Sequence, residues 1–360
     1  MDDIGMSLKI LSPSATKSHP AVRVQELVKV FDSGPQAVRA VDGISLTVER
    51  GEVFGLLGPN GAGKTTTISI LTTLLRPTSG QAEVAGHDVV REPFTVRRRI
   101  GLVTQELAVD DTLTGRENLL FHARLHRLPR RLAEERIREL LQAVELEDRA
   151  DSLVETYSGG MRRRLDLACG LIHRPEVLFL DEPTLGLDVQ TRHRIWEYIR
   201  RLKEEGVTVF LTTHYMEEAD SLCDRLAIVD RGRVMALGSP GELKRELGPE
   251  LIRLSLEPGE GRGEADLPSP EEILGVERAV SVQRDGEAWT VATPDGPALL
   301  SPLLERLSLA GWRVKGLEMK RTTLEDVFLH FTGRSLRAEE GSGEKLALSL
   351  RRARRAGRQA

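Results

Sequence analysis

The sequence predicts an α/β fold with a mostly parallel central sheet, a helical insertion and a small C-terminal α+β domain. Short apolar runs alternate with amphipathic stretches, as expected for parallel strands that are connected by helices. One apolar run leads directly into GLLGPNGAGKTTT, residues 55–67, which is too rich in glycine and threonine to build a core. The length of 360 residues suggests two domains rather than one.

The first elements predicted are strands over residues 21–57, and the glycine-rich loop follows them. Gly58, Gly63, Lys64 and Thr65 fit the pattern G-x-x-x-x-G-K-[ST] between a strand and a helix. Glycines let backbone N–H groups point at phosphate oxygens, and the helix N-terminus adds a favourable dipole. Lys64 is expected to reach the β- and γ-phosphates, and the Thr65 hydroxyl to ligate Mg²⁺. A plain glycine turn, the alternative, does not explain the lysine and threonine at this spacing.

A helical insertion is predicted over residues 106–170. Within it, Ile137, Leu140, Leu141 and Val144 recur at the spacing of one helix face, with arginine and glutamate opposite. The insertion ends in TYSGGMRRRLDLACGL, where a flexible Ser-Gly-Gly is followed by an amphipathic helix. Its leucines and alanine alternate with polar residues, namely Arg162, Arg163, Arg164 and Asp166.

The Ser-Gly-Gly sequence predicts a second anion-binding site. Ser158 and the free N–H groups of Gly159 and Gly160 lie at the start of a predicted helix. One nucleotide does not need two separate helix N-termini. The pattern therefore suggests that two chains share each ATP.

A pair of carboxylates follows the next predicted strand. EVLFLDEP is an apolar run that ends in Asp181 and Glu182, at the strand end where open α/β sheets bind ligands. Asp181 is placed to hold Mg²⁺, and Glu182 to activate an attacking water as general base. Alternatively, both carboxylates cap the turn that follows them, since Pro183 comes next. A further strand, VTVFLTTH, ends in His214, which is either a functional group or a satisfied strand-end histidine.

The C-terminal part is predicted to begin after two strands around an Arg231-Gly232 turn and a helix that starts at Pro240. A segment rich in glycine, glutamate and proline follows. AWTVAT and WRVKGLEM are then predicted strands, with ALLSPLLERLSLAG as a helix between them. TTLEDVFLHFTGR is predicted to be a capped final helix.

Composition excludes several classes of protein. Hydrophobic residues make up 40% and charged residues 29%, the balance of a soluble globular chain. The net charge of -4 gives no argument for nucleic-acid binding. Cys169 and Cys223 have no metal spacing and are expected in the core. No run approaches the ~18 apolar residues of a spanning helix, and the N-terminus is no signal peptide.

The motifs together resemble those of the ATP-binding subunits of ABC transporters over residues 20–246. They occur in that family's order, which makes chance agreement negligible. The phosphate loop GPNGAGKTT comes first, then Gln105 in GLVTQE, YSGGM, VLFLDE, LGLD ending in Asp188, and His214. The resemblance implies an ABC-type ATPase cassette with an antiparallel β layer beside the parallel core.

The resemblance also implies the ligand contacts. Two cassettes would pack head to tail around two molecules of ATP with Mg²⁺. Mg²⁺ would be held by Thr65, Gln105 and Asp181. Nucleotide contacts are expected from the loop residues Gly58, Pro59, Asn60, Gly61, Ala62, Gly63, Lys64, Thr65 and Thr66.

Other roles carried over by the resemblance belong to catalysis and to the dimer. Lys64, Glu182 and His214 would be catalytic: Glu182 as base, His214 steadying the γ-phosphate and the attacking water. Ser158, Gly159 and Gly160 would close over ATP held by the other chain, and Asp188 would contact the partner. Phe31 either stacks on adenine or is a buried core residue.

Two departures from the family pattern indicate the branch. Tyr157 stands where leucine is usual, and Met161, which has no side-chain amide, stands where glutamine is usual. The variant resembles the drug- and antibiotic-exporting, daunorubicin-type branch. We therefore expect the ATP-hydrolysing subunit of an exporter of a hydrophobic drug or antibiotic. It would act as a homodimer on a separately encoded membrane permease, at the cytoplasmic face of the membrane.

Two alternatives remain open. The first is a polysaccharide or lipid exporter. The second is a non-transport ABC ATPase that acts on DNA or ribosomes. It is opposed by the single phosphate loop and by the lack of a long heptad run or of a basic, aromatic-rich patch.

The chain is predicted to comprise four parts. A disordered lead-in, 1–20, precedes the cassette, 21–248, whose helical subdomain spans about 106–170. The accessory α+β domain is 249–335, and 336–360 is a basic, flexible tail with five arginines in its last ten residues. A weak contact of this tail with an anionic membrane is the alternative. By resemblance, the subdomain and the Gln105 loop form the groove for a helix of the permease.

Overall fold

The computed structural model describes residues 19–31, 37–259, 268, 269, 273, 281–285 and 288–332. The described residues form two compact units, which divide between Pro240 and Gly241. The predicted tail, nearly all of the lead-in and most of the segment after Pro258 lie outside the described residues. Within the described part of the chain, no helix combines the length and the apolar character needed to cross a bilayer.

A six-stranded sheet forms the centre of the first unit, in the order β10-β9-β3-β8-β7-β6. All neighbours are parallel except β9 and β10. The inner strands are buried along their whole length, as the continuous apolar runs predict. The strands are β3 Val53–Leu57, β6 Ile100–Val103, β7 Val177–Asp181, β8 Thr208–Thr213, β9 Arg225–Asp230 and β10 Arg233–Gly238.

A second, antiparallel sheet lies in the same unit, in the order β2-β1-β4-β5. Its strands are β1 Val22–Phe31, β2 Val38–Val48, β4 Ser79–Val84 and β5 His87–Asp88. Helix α1, Lys64–Leu71, contacts β2 and β4 of this sheet and β7 of the central sheet. One apolar core therefore joins the two sheets, and α1 fixes the loop that precedes it.

Three of the helices of this unit, α3, α4 and α5, lie between β6 and β7 in the sequence. Helix α4 buries Ile137, Leu140 and Leu141, which confirms the periodicity found in the sequence. Helix α3 begins at a capping box of Thr114 and Glu117, which was not predicted. The helices after α1 are α2 Pro93–Arg99, α3 Gly115–Leu125, α4 Arg130–Ala143, α5 Gly159–Leu171, α6 Val189–Glu204 and α7 Met216–Leu222.

Helix α5 differs from its predicted pattern. Its leucines are buried as expected, but Arg163 and Asp166 are also buried, at 5% and 2% exposure. The simple amphipathic interpretation is therefore wrong at these two positions. Cys169 and Cys223 are buried, as predicted.

The second unit is a four-stranded antiparallel sheet in the order β12-β13-β11-β14, with helices. The predicted strands β13 and β14, and the helix α9 between them, are present; β11 and β12 were not predicted. Helix α9 packs on β11 and β14 over a core that includes Leu254, Leu303 and Trp312. The elements are α8 Pro240–Leu247, β11 Glu250–Pro258, β12 Ser281–Asp285, β13 Ala288–Thr293, α9 Gly296–Leu309, β14 Trp312–Lys320 and α10 Leu324–Thr332.

The end of β3 leaves no room for a side chain, which gives a stability test. A Cβ at Gly58 would lie 2.2 Å from the Val229 carbonyl oxygen of β9. We expect Gly58→Ala to lower the free energy of unfolding by about 1–3 kcal/mol, because backbone must move. Urea denaturation, monitored by circular dichroism, measures the free energy of unfolding. The control is Gly159→Ala, where a Cβ meets nothing within 4 Å; equal stability of the two variants would contradict the expectation.

Candidate functional site

The glycine-rich loop connects β3 to α1 and wraps closely against its surroundings. Gly63 has a φ of 101°, and a Cβ there would lie 2.2 Å from the Ala40 carbonyl oxygen. Only glycine meets both conditions. Among the loop residues that were predicted to contact nucleotide, Gly58, Pro59, Ala62, Gly63 and Lys64 are buried, Thr66 is half-buried, and Asn60, Gly61 and Thr65 are exposed.

Lys64 is the first residue of α1 and is only 4% exposed. Its Nζ donates to the carbonyl oxygens of Gly58 at 2.7 Å and Pro59 at 3.1 Å. It also lies 3.2 Å from Oε1 of Glu182. Burial lowers the Lys64 pKa, and the carboxylates of Glu182 and Asp181 partly oppose that shift. The ammonium is thus held at the inner side of the loop.

Asp181 ends β7 and shares a small cluster of oxygens. Its Oδ1 accepts hydrogen bonds from Thr212 Oγ1, at 2.5 Å, and from Thr65 Oγ1, at 3.4 Å. Hydroxyl and carboxylate oxygens are the ligands that Mg²⁺ prefers, so Thr65 and Asp181 fit that ion. Gln105 is exposed in the loop after β6, and among the described residues no hydrogen bond joins it to these two side chains.

Glu182 is 9% exposed and has a φ of 49°, in the left-handed region. Its backbone N–H donates to the carbonyl oxygen and to Oγ1 of Thr212, both at 3.1 Å. A non-glycine residue in this region costs about 1–3 kcal/mol and persists only where its surroundings hold it. The turn directs the carboxylate toward Lys64.

The His214 side chain completes the group predicted to be catalytic. Its Nδ1 lies 3.3 Å from Oε1 of Glu182 and makes no hydrogen bond within the described part of the chain. Burial favours a higher pKa for Glu182, but His214 and the Lys64 charge outweigh it and hold the pKa below its usual range. The carboxylate is therefore ionised at neutral pH, as a base must be. The structure brings Lys64, Glu182 and His214 together.

The Ser-Gly-Gly sequence forms the start of α5. Ser158 is the N-cap, and its Oγ accepts from the Met161 N–H at 3.3 Å. Gly159 is exposed, and a Cβ on it would meet nothing within 4 Å in the described part of the chain. A Cβ on Gly160 would lie 2.5 Å from Thr191 Cγ2 of α6. Gly160 is thus needed for packing, whereas neither packing nor backbone conformation explains Gly159.

Asp188 lies next to this sequence through Thr191. Its exposed carboxylate caps α6, accepting from Thr191 N at 2.9 Å and from Thr191 Oγ1 at 2.7 Å. Hydrogen bonds from Thr191 lower the Asp188 pKa. Thr191 therefore bonds Asp188 and also packs closely against Gly160 of the predicted Ser-Gly-Gly site.

Phe31, at the end of β1, is 40% exposed. This exposure excludes the alternative of a core residue. The Lys29 ammonium lies 5.1 Å from the ring centre. Stacking on adenine stays a prediction.

Two groups near the site were missed from the sequence. Thr212 binds both carboxylate residues after β7, and its position directly beside Asp181 follows from the pairing of β7 with β8. The second group is Arg163 with its partner Asp166, and the Arg163 guanidinium donates to the backbone carbonyl oxygens of Asp181 and Glu182. Burial raises the Asp166 pKa to about 6, against the opposing charge of Arg163. The spacing of Arg163 and Asp166, three residues apart on one predicted helix, could have indicated this ion pair from the sequence.

A family model described as ABC transporter matches residues 41–185. A second, described as the C-terminal domain of DrrA1-3-like ATP-binding proteins, matches residues 238–332.

Relatives match most of the chain. The daunorubicin/doxorubicin resistance ATP-binding protein DrrA of Streptomyces peucetius is 45% identical over 92% of this chain and 98% of its own length. The Nod factor export ATP-binding protein I of Ralstonia nicotianae is 41% identical, over 89% of this chain and 96% of its own. A dimeric post-hydrolysis structure of the ATP-binding cassette MJ0796, bound to ADP and Pi, has a TM-score of 0.56 and 28% identity. It covers 61% of this chain and 98% of that one.

The Thr212 contacts generate a metal prediction. Thr212→Val removes the hydroxyl that orients Asp181, so we expect the Mg²⁺ concentration for half-maximal ATP hydrolysis to rise about 10-fold or more. A titration of activity against Mg²⁺ measures it. Thr208→Val is the matched control, because Thr208 is also buried on β8, and within the described part of the chain its hydroxyl accepts from the Gly51 N–H and does not bond Asp181. A similar rise in both variants would refute the specific role of Thr212.

Proposed function

The chain belongs to the ABC transporter family of ATP-binding proteins, and we propose that it drives an exporter of a hydrophobic drug or antibiotic. It is an ABC-type ATPase. In the proposed assembly, two copies bind two ATP-Mg and act on a separately encoded permease, at the cytoplasmic face of the membrane. No nucleic-acid partner is part of this proposal.

One observation carries the catalytic part of the proposal. A buried, ionised Glu182 lies between Lys64 and His214, beside the oxygen pair of Thr65 and Asp181. Glu182 would accept the proton of the attacking water, and Lys64 would bind phosphate oxygens. Bound Mg²⁺ would neutralise charge on the triphosphate, held by Thr65, Asp181 and Gln105.

The start of α5 supports the dimer. Gly159 is exposed and has neither a positive φ nor a close neighbour in the described part of the chain. A glycine is nevertheless useful wherever another molecule approaches the backbone closely. We infer that Ser158, Gly159 and Gly160 close over the γ-phosphate of ATP held by the other copy, with Asp188 at the same interface. The MJ0796 cassette, whose structure is a dimer bound to ADP and Pi, supports the assembly of two copies.

A cleft beside the Gln105 loop is the proposed permease contact. It lies between β6, α3 and α5 and has a volume of ≈ 220 Å³. Its lining includes apolar and histidine side chains, such as Leu102 and His126, and the charged residues Arg97 and Asp166. Its position lets a helix of the permease press on the loop that contains Gln105.

The cargo class rests on the relatives. DrrA of Streptomyces peucetius is named for daunorubicin and doxorubicin resistance, and the chain matches 98% of its length. A second candidate is export of a different kind of cargo, because a Nod factor export ATP-binding protein is nearly as similar.

Two substitutions separate binding from hydrolysis. We expect Lys64→Ala to weaken ATP binding, because it removes the only buried ammonium in the loop. Glu182→Gln should retain ATP but lose about 10²–10⁴ in hydrolysis rate, since the base is removed. Size-exclusion chromatography with ATP should show Glu182→Gln as a stable dimer and Lys64→Ala as a monomer. Wild-type hydrolysis by Glu182→Gln would show that Glu182 is not the base.

Transport is tested in cells. The chain is co-expressed with the separately encoded permease of the proposed assembly, in a drug-sensitive host. We expect daunorubicin accumulation to fall with the wild-type chain but not with Glu182→Gln. Equal accumulation with both, while purified wild-type protein hydrolyses ATP, would exclude daunorubicin as cargo.

A further inference from the structure

We propose that Arg163 and Asp166 are positioning residues for ATP hydrolysis. Their buried ion pair ties the backbone around Glu182 to the residues on both sides of Gln105. The inference rests on the proposed role of Glu182 as base. Neither residue contacts the reacting atoms in this proposal. They act by holding the backbone that carries the base.

The Arg163 guanidinium reaches three consecutive carbonyl oxygens after β7. Its Nε donates to the Pro183 oxygen at 2.8 Å. Its Nη2 donates to the oxygens of Asp181 and Glu182, both at 3.3 Å. Because the middle residue of this set is in the left-handed region, the bonds hold a strained turn in place.

The same pair holds the Gln105 loop from both ends. Nη1 of Arg163 donates to the Thr104 carbonyl oxygen at 2.6 Å. Oδ1 of Asp166 accepts from the Ala108 N–H at 3.2 Å, while Oδ2 lies 3.3 Å from Nη1 of Arg163. Residues on either side of Gln105 are therefore tied to the segment that carries Glu182.

The chemistry of the pair suits this task. A guanidinium presents five donors in a rigid plane, whereas an ammonium is a point charge on a flexible stem. A buried charge is costly unless it is paired and fully hydrogen-bonded, and both residues are at most 5% exposed. Any displacement of the Gln105 loop must therefore break these bonds or move the Glu182 segment with it.

The first experiment measures steady-state ATP hydrolysis by full-length Arg163→Gln. We expect kcat to fall about 10–100-fold, because the base is misplaced, while KM for ATP changes less than about 3-fold, since Lys64 and its loop remain. Thermal unfolding is measured on the same samples. An unchanged kcat would overturn the proposal.

Arg164→Gln is the matched control. Arg164 is the next residue of α5, and its Nη1 also bonds backbone carbonyls, those of Val144 and Glu145. It bonds neither the Glu182 segment nor the ends of the Gln105 loop. We expect Arg164→Gln to lose stability but keep kcat within about 2-fold. An equal loss of kcat in both variants would assign Arg163 a purely structural role.

A double variant distinguishes an effect that acts through Glu182 from a general loss of structure. If Arg163 acts through Glu182, then adding Arg163→Gln to Glu182→Gln should leave the single-turnover rate unchanged within about 2-fold. A further loss of 10-fold or more would contradict the proposal. If Glu182→Gln alone hydrolyses ATP normally, the base assignment fails, whatever the Arg163 variants show.

Two further variants test the proposed positioning role if Arg163→Gln does not fold. Arg163→Lys keeps the charge but spans fewer of the four carbonyls, so we expect an intermediate kcat. Asp166→Asn keeps the shape but loses the ion pair, and should lower kcat with little change in KM. Full kcat in both variants would overturn the inference.

Discussion

The site depends on one buried ionic contact, between the Lys64 ammonium and the Glu182 carboxylate, 3.2 Å apart. Both side chains are at most one-tenth exposed, and either charge buried alone would cost several kcal/mol. Because Lys64 begins α1 and Glu182 follows β7, the contact joins the phosphate-binding loop to a strand two positions away in the sheet. Together with His214, Lys64 also lowers the Glu182 pKa and so keeps the carboxylate ionised, the state that a base requires.

This contact requires an unfavourable backbone turn. Glu182 adopts a left-handed φ that only close neighbours can maintain. Thr212 binds its N–H from β8, and Arg163 binds its carbonyl oxygen from α5. The strain at the reactive carboxylate is thus offset by hydrogen bonds from two elements that are distant in sequence. Glu182 therefore carries both the backbone strain and the reactive carboxylate.

Much of the fold follows from local patterns. The buried strands of the central sheet are continuous apolar runs, and helix α4 shows its buried face as a 3.6-residue repeat. In the second unit β13, α9 and β14 were equally evident. Strand β11 was missed, because in ELIRLSLEP charged residues interrupt the apolar positions and only Ile252 and Leu254 are fully buried.

The sequence by itself determined the chemical groups of the site, since each motif residue stands at the end of an apolar run or at a helix start. Only the tertiary structure decided which of them meet. Thr212 lies beside Asp181 because β8 pairs with β7. Arg163 is buried because four backbone carbonyl oxygens and the Asp166 carboxylate accept its hydrogen bonds. Local periodicity records which residues share a face. It does not record what the neighbouring elements offer to that face, and a buried arginine is stable only where they supply acceptors.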